Sequence, residues 1–115
     1  TIVIKNFRFE INLREEGFEI ERDQNIEVID WEKIKDKKLV IRNWRNGDAF
    51  QPLGMMGKQK ISDFLINEKV NRISKSSQFV FTADDEIFWV CGKRISDWAK
   101  VTNKTVEKAK LIYKS

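Results

Sequence analysis

The chain has 115 residues, with 22 Lys and Arg against 18 Asp and Glu, a net charge of +4, and 41% apolar residues. That is the size of one domain with a single core, and no stretch approaches the ~20 consecutive apolar residues of a membrane helix. Cys91 is the one cysteine and there is no histidine, which excludes an internal disulfide, a zinc site and the commonest general base, and makes the cytoplasm the expected compartment.

The sequence begins at Thr1 rather than Met, and TIVIKNF has no apolar leader or cleavage site of a signal peptide. The expectation is a piece of a longer protein. Ile2-Val3-Ile4, Phe7, Phe9, Ile11 and Leu13 alternate as in a half-buried strand. Glu15-Glu16-Gly17 reads as a turn, with Phe18 and Ile20 on the strand after it. Ile26, Val28 and Ile29 suggest another strand, and Asp30 to Ile34 a short helical turn. After a charged connection, Leu39, Ile41 and Asn43 start a strand carrying Arg42 and Arg45 at its end. Gly47-Asp48 breaks the pattern, and Pro52 favours extended or turn backbone before it.

From Lys58 the period changes. Ile61, Phe64 and Leu65 sit at i, i+3 and i+4, with Lys60, Asp63 and Asn67 opposite, so an amphipathic helix is predicted near residues 58–68. Phe79-Val80-Phe81 and Ile87-Phe88-Trp89-Val90 are β-rich runs, joined through Ala83-Asp84-Asp85-Glu86 as a hairpin with a four-residue loop. The second run is apolar on both faces, as in a central strand, and Gly92 ends it. Ala109, Leu111 and Tyr113 alternate, which favours a strand over the helix that the Lys and Glu content of residues 103–113 would also allow. The fold class is α+β: a β-dominated single domain over 1–115, two groups of strands in a sandwich-like arrangement, and one clear helix.

The charge is unevenly placed. Residues 1–38 hold eight basic and ten acidic side chains (−2), residues 39–80 seven and three (+4), and residues 81–115 seven and five (+2). The asymmetry favours an anionic partner; the alternative is a basic surface that only aids solubility. Gly47 to Arg72 concentrates the excess. There a Gly54-Met55-Met56-Gly57 loop precedes the helix, among Arg42, Arg45, Lys58, Lys60, Lys69 and Arg72. Glycines let backbone N–H groups approach a partner and a helix start offers unpaired donors, so this is a surface for phosphate.

The loop is not a nucleotide-binding P-loop, because two residues rather than four separate the glycines and Gln59 follows the lysine. It also lacks the preceding helix of a KH-type clamp. On local spacing alone it is an ordinary turn before a helix. Met55 and Met56 read as packing residues. Asp48 reads as a cap of the Gly47 turn and Asp63 as a favourable charge at the helix start, rather than as a catalytic pair. Among Trp31, Trp44, Trp89 and Trp98, all able to stack on unpaired bases, Trp89 belongs to the core, while Trp44, between two arginines, is expected to be exposed.

The wider pattern is more specific. Leu39 to Met55, then Gly57-Lys58, then Lys60-Ile61-Ser62-Asp63-Phe64-Leu65-Ile66, resembles the C-terminal domain of bacterial tRNA(Ile)-lysidine synthetase, whose pattern is close to R-x-x-GD-x-F-x-PLG-x-x-G-x-KKL-x-DF-(F/L)-I. The likeness continues through Lys69-Val70 and Arg72, then Ile87 to Val90, Gly92-x-Arg94-Ile95, Lys100-Val101-Thr102 and Thr105. It covers 39–113 as a family-like core, with 1–38 as lead-in strands. Asn71, Ser76 and Gln78 depart from the pattern, which leaves the conformation of Val70–Phe79 open.

The resemblance implies an accessory domain that binds an isoleucine tRNA, near its acceptor stem, for a ligase that uses ATP to attach lysine to a wobble cytidine. Catalysis, ATP and Mg2+ would belong to an N-terminal domain, since its Ser-Gly-Gly-x-Asp-Ser loop does not occur here. The fragment itself would be no enzyme, would hold no cofactor or metal, and would have no membrane partner. Its implied RNA contacts are Arg42, Arg45, Lys58 and Lys60 first, then Lys69, Arg72, Lys75, Arg94 and Lys100, with Gly54 and Gly57 as the backbone loop. The alternative is a protein-interaction module, for homodimerisation or for docking to the catalytic domain.

Overall fold

The computed structural model describes the backbone of residues 2–4, 7–14 and 26–114, and side chains from 27 to 113. The turn at Glu15–Gly17 and the strand through Phe18 and Ile20 lie outside the described residues. The elements are β1 (Ile2–Ile4), β2 (Phe7–Arg14), β3 (Ile26–Asp30), β4 (Leu39–Asn43), β5 (Ala49–Phe50), β6 (Gln59–Lys60), α1 (Ile61–Asn67), α2 (Arg72–Ser76), β7 (Phe79–Ala83), β8 (Glu86–Val90), β9 (Arg94–Ile95) and β10 (Lys108–Lys114). Two 3-10 turns, Trp31–Lys33 and Asp97–Ala99, complete them.

Two four-stranded antiparallel sheets form, in the orders β1-β2-β10-β3 and β4-β7-β8-β9, with a small β5-β6 ribbon beside them. The C-terminal segment is a strand because β10 is paired on both sides, by β2 and by β3. A strand in that place has every backbone group satisfied, which a helix of the same residues would not offer its neighbours. The sheets share one core. Ile29, Ala109 and Leu111 of the first meet Phe81, Phe88 and Trp89 of the second. β8 is buried from Ile87 to Val90, as its two-sided apolar run predicts.

The other face of the second sheet takes the helix. Ile61, Phe64 and Leu65 of α1 pack with Phe50, Val80, Ile87 and Val90. The helix is shorter than the predicted 58–68. Gln59 and Lys60 are drawn into the ribbon opposite Phe50 and Ala49, and the Ile61 N–H donates to the Asp48 carbonyl at 2.9 Å, so Lys60 stays extended. Among the described residues no helix is long and apolar enough to cross a membrane.

Three details correct or complete the sequence reading. The β7–β8 hairpin turns through two residues, not four. Ala83 pairs with Glu86, while Asp84 and Asp85 take φ of 47° and 69°, the doubly left-handed turn that matches strand twist. Its tip is tied down, since the Asp84 carboxylate accepts the Lys38 N–H at 2.8 Å. Val70–Phe79 contains a second helix, α2. The three departures from the family pattern each make a local bond there. Asn71 caps α2 by accepting the Ser74 N–H at 2.8 Å, and the Ser76 hydroxyl donates to Ile73 O at 2.7 Å. Gln78 is buried, and its Nε2 donates to the carbonyls of Phe79 and Cys91 at 2.8 and 2.9 Å. Trp44, expected to be exposed, is half-buried against the α1 core cluster, and its Nε1 donates to Lys75 O at 2.7 Å.

Candidate nucleic-acid interface

The basic residues lie around the β5–β6 ribbon and both ends of α1, and their chemistry separates them into two groups. Arg42, Lys75, Arg94 and Lys100 are already engaged within the chain. Arg42 places both terminal nitrogens on Asp48, at 2.9 and 3.0 Å, with only 19% and 15% of the two side chains exposed. The Asp48 carboxylate also accepts the Arg45 N–H at 2.7 Å. Burial pushes the Asp48 carboxyl up, but the bonds from Arg42 and Arg45 outweigh it and hold the group below its ordinary 3.8. The same bond raises Arg42 above its ordinary value. Asp48 is thus the clamp of its turn, a larger part than the cap its sequence position suggests.

Arg94 stacks over the Phe64 ring at 5.7 Å, reaches Glu68 at 3.5 Å, and sets its Nη1 3.7 Å from the Met55 sulfur. A second acid feels its charge. Burial pushes Glu27 of β3 up to about 7, with Arg94 pulling the other way. Lys100 sits 3.4 Å from Asp97. Lys75 lies over the Trp44 ring, Nζ to centroid 5.5 Å.

Arg45, Lys58, Lys60, Lys69 and Arg72 are different. All five are exposed, and among the described residues none has an ion-pair partner. Asp48 ties the Arg45 backbone to the start of α1, next to the ribbon that carries Lys60. Lys58 and Lys60 line an open groove of about 500 Å³ that runs along α1 past Asp63 and Ile66 to Asn67. A narrower cleft of about 340 Å³ lies on the other side of Lys58, lined by Asp85, Glu86 and Trp98. Three carboxylates, Asp48, Asp85 and Glu86, line that cleft against Asp63 alone in the α1 groove, so the groove is the better seat for phosphate.

Lys69 and Arg72 lie past the far end of α1, a helix about 10 Å long. Lys69 is also the turn that ends it, with a left-handed φ of 59°. Its N–H bonds the Ile66 carbonyl and the Val70 N–H the Leu65 carbonyl, both near 3.0 Å, a helix stop that ordinarily carries glycine. Lys69→Gly should therefore raise the unfolding free energy by about 0.5–1 kcal/mol, since the Cβ strain exceeds the entropy cost of glycine. A denaturation curve checks this, and an unchanged or lower midpoint would refute it.

The Gly54–Gly57 loop is stapled at its base. The Leu53 N–H donates to Ile95 O, the Gly54 N–H to the Asp97 carboxylate at 3.1 Å, and the Gln51 amide to Met55 O at 2.8 Å. The bond from Gly54 is the main reason the Asp97 carboxyl sits below its ordinary value. The packing role expected of the methionines does not hold for Met56, which is 98% exposed. Sequence reasoning missed Asp97, which lies 43 residues from Gly54 and carries no local signal. Among the described residues no group of acidic, Cys or His side chains could hold a metal.

No family model matches the chain. Individual proteins do. It is 35% identical over 88 residues to the tRNA(Ile)-lysidine synthase of Parabacteroides distasonis, covering 76% of this chain and 20% of that one. The same enzyme of Clostridium perfringens is 30% identical over 112 residues, 97% of this chain and 24% of its own. That of Bacteroides thetaiotaomicron is 34% identical over 97 residues, 84% and 22%. The chain therefore spans about a fifth to a quarter of the length of the curated relatives it matches. In structure it is similar to a solved TILS C-terminal domain, with a TM-score of 0.81 at 20% identity, over 96% of this chain and 85% of that one. Sequence kinship and the shared β-rich fold place the chain in the family of C-terminal domains of the tRNA(Ile)-lysidine synthases.

Proposed function

We propose that this chain is the accessory tRNA-binding domain of a tRNA(Ile)-lysidine synthase and carries no catalysis of its own. ATP and Mg2+ are handled, in this reading, by a catalytic part outside these residues, and the work is done in the cytoplasm. The observation that carries it is the exposed pair Lys58 and Lys60 lining the α1 groove, with exposed Arg45 joined through Asp48 to the ribbon and Lys69 and Arg72 past the far end of α1, none of them in an ion pair among the described residues. Such a surface meets the sugar–phosphate chain of RNA by charge, and positions it rather than reading its bases. The engaged residues Arg42, Lys75, Arg94 and Lys100 act in support, by holding the turn, α2 and the loop.

The test uses the intact protein and isoleucine tRNA over a range of salt. Each lost phosphate contact lowers the log–log salt slope by roughly 0.7–0.9. Lys58→Ala with Lys60→Ala should lower it by about 1.5 and weaken binding at low salt, while the melting temperature stays put, because neither side chain is in an ion pair among the described residues. An unchanged slope and affinity would remove this surface from the proposal. Absence of any tRNA affinity at low salt would remove the proposal itself.

A further inference from the structure

We infer that the Gly54–Gly57 loop is an anchored apolar tip that packs on an unpaired base of the RNA, while Lys58 and Lys60 hold the flanking phosphates; this rests on the RNA-binding reading above. Three observations carry it. Met56 is 98% exposed, with Met55 at 44% and Leu53 at 38% beside it. A side chain that bare contributes nothing to the fold and leaves apolar surface in water, which a partner would cover. Secondly, the loop that presents it is held at its base, up to Met55, through Leu53 to Ile95, Gly54 to Asp97 and Gln51 to Met55. A loop so anchored loses less entropy on contact. Thirdly, Gly54 and Gly57 hold φ of 79° and 80°, and a Cβ built on either would meet nothing within 4 Å. The loop backbone on either side of the methionines is therefore uncovered, and nothing stands against it where a planar group would approach.

The surrounding charge selects the occupant. Lys58 and Lys60 follow the tip directly and are in no ion pair among the described residues, whereas the carboxylates that reach the loop and Arg94 are committed: Asp97 to Gly54 and Lys100, Glu68 to Arg94. A flat apolar face bordered by anions is a nucleobase with its phosphates. The thioether is polarizable and suits an aromatic face. A base already in a duplex stack has no face to offer, so the tip selects unpaired nucleotides.

The experiment compares two RNAs against the intact protein: a hairpin with a single-stranded 3′ tail, and a fully paired duplex whose ends are closed by ethylene-glycol linkers. Met56→Ser is expected to fold normally and to weaken binding of the tailed RNA about five- to tenfold at constant salt slope. It should leave the closed duplex unaffected and should abolish the quenching of a 2-aminopurine placed in the tail. Equal affinity of Met56→Ser and the unaltered protein for both RNAs, with Lys58→Ala and Lys60→Ala still lowering the salt slope, would overturn the stacking tip and leave the RNA-binding reading standing. Loss of a concentration-dependent protein mass on Met56→Ser, with RNA binding intact, would likewise overturn it, in favour of a protein contact. If neither RNA binds at low salt, the underlying reading fails first.

Discussion

Asp48→Ala should lower the unfolding free energy by about 2–3 kcal/mol, and Arg42→Ala by a similar amount. The carboxylate receives three hydrogen bonds, two from the Arg42 fork and one from the Arg45 backbone, in a site where both side chains are mostly shielded from water. Removing either partner leaves the other's charge partly desolvated with no counter-ion, which is the costly arrangement. The double variant should cost less than the sum, with about 1 kcal/mol or more of coupling. Arg42→Lys should recover only part, because an ammonium cannot make the two-pronged contact. The folded Asp48 carboxyl titrates below 3.8. Its contribution is therefore complete above the unfolded value and is lost as pH falls through the lower folded one, so a neutral-pH melt sees all of it. Chemical denaturation of the four proteins decides the matter. Arg42→Ala with an unchanged midpoint and weakened tRNA binding would make the arginine a contact residue instead of a clamp.

Phe64→Ala should be more damaging still, by about 3–5 kcal/mol. Phe64 is nearly fully buried in the α1 core cluster and meets Phe50 edge-to-face at 5.0 Å between ring centroids. The Arg94 guanidinium lies over its ring. The substitution removes the volume that holds α1 to the second sheet, the aromatic pair worth about 1 kcal/mol beyond its area, and the support beneath Arg94. Because α1 is only seven residues, too short to persist by itself in water, its release should expose the β5–β6 ribbon. Amide exchange around residues 59–67 should then quicken ahead of that in β7, β8 and β10. Phe64→Leu, which refills most of the space, should cost markedly less. Equal losses for the Ala and Leu variants would mean that the ring's contacts, not its volume, hold the helix.

The strands and the helix were legible because their signals are local. The alternation at Ile26–Ile29, Leu39–Asn43 and Ala109–Tyr113, and the three-four spacing of Ile61, Phe64 and Leu65, report which face meets a core. α2 was hidden because five residues give too short a window for a period, and it stands on an Asn71 cap and on Trp44 reaching back from 31 residues away. The start of α1 was misplaced because the ribbon partner of Lys60 lies before the loop, at Ala49.

The candidate site divides in the same way. Composition and order alone determined that the cations cluster in residues 39–80 and that this stretch follows the lysidine synthetase pattern, since both are properties of the chain as written. Which cations are free was decided only on folding. Asp48 neutralises Arg42, Glu68 holds Arg94 and Asp97 holds Lys100, while among the described residues Lys58 and Lys60 form no ion pair. Pairing depends on contacts across 3 to 26 positions of sequence, and Coulomb attraction acts on distances in space. The exposure of Met56 has the same origin: an apolar residue is buried only if the fold brings a surface to it, and among the described residues none covers Met56.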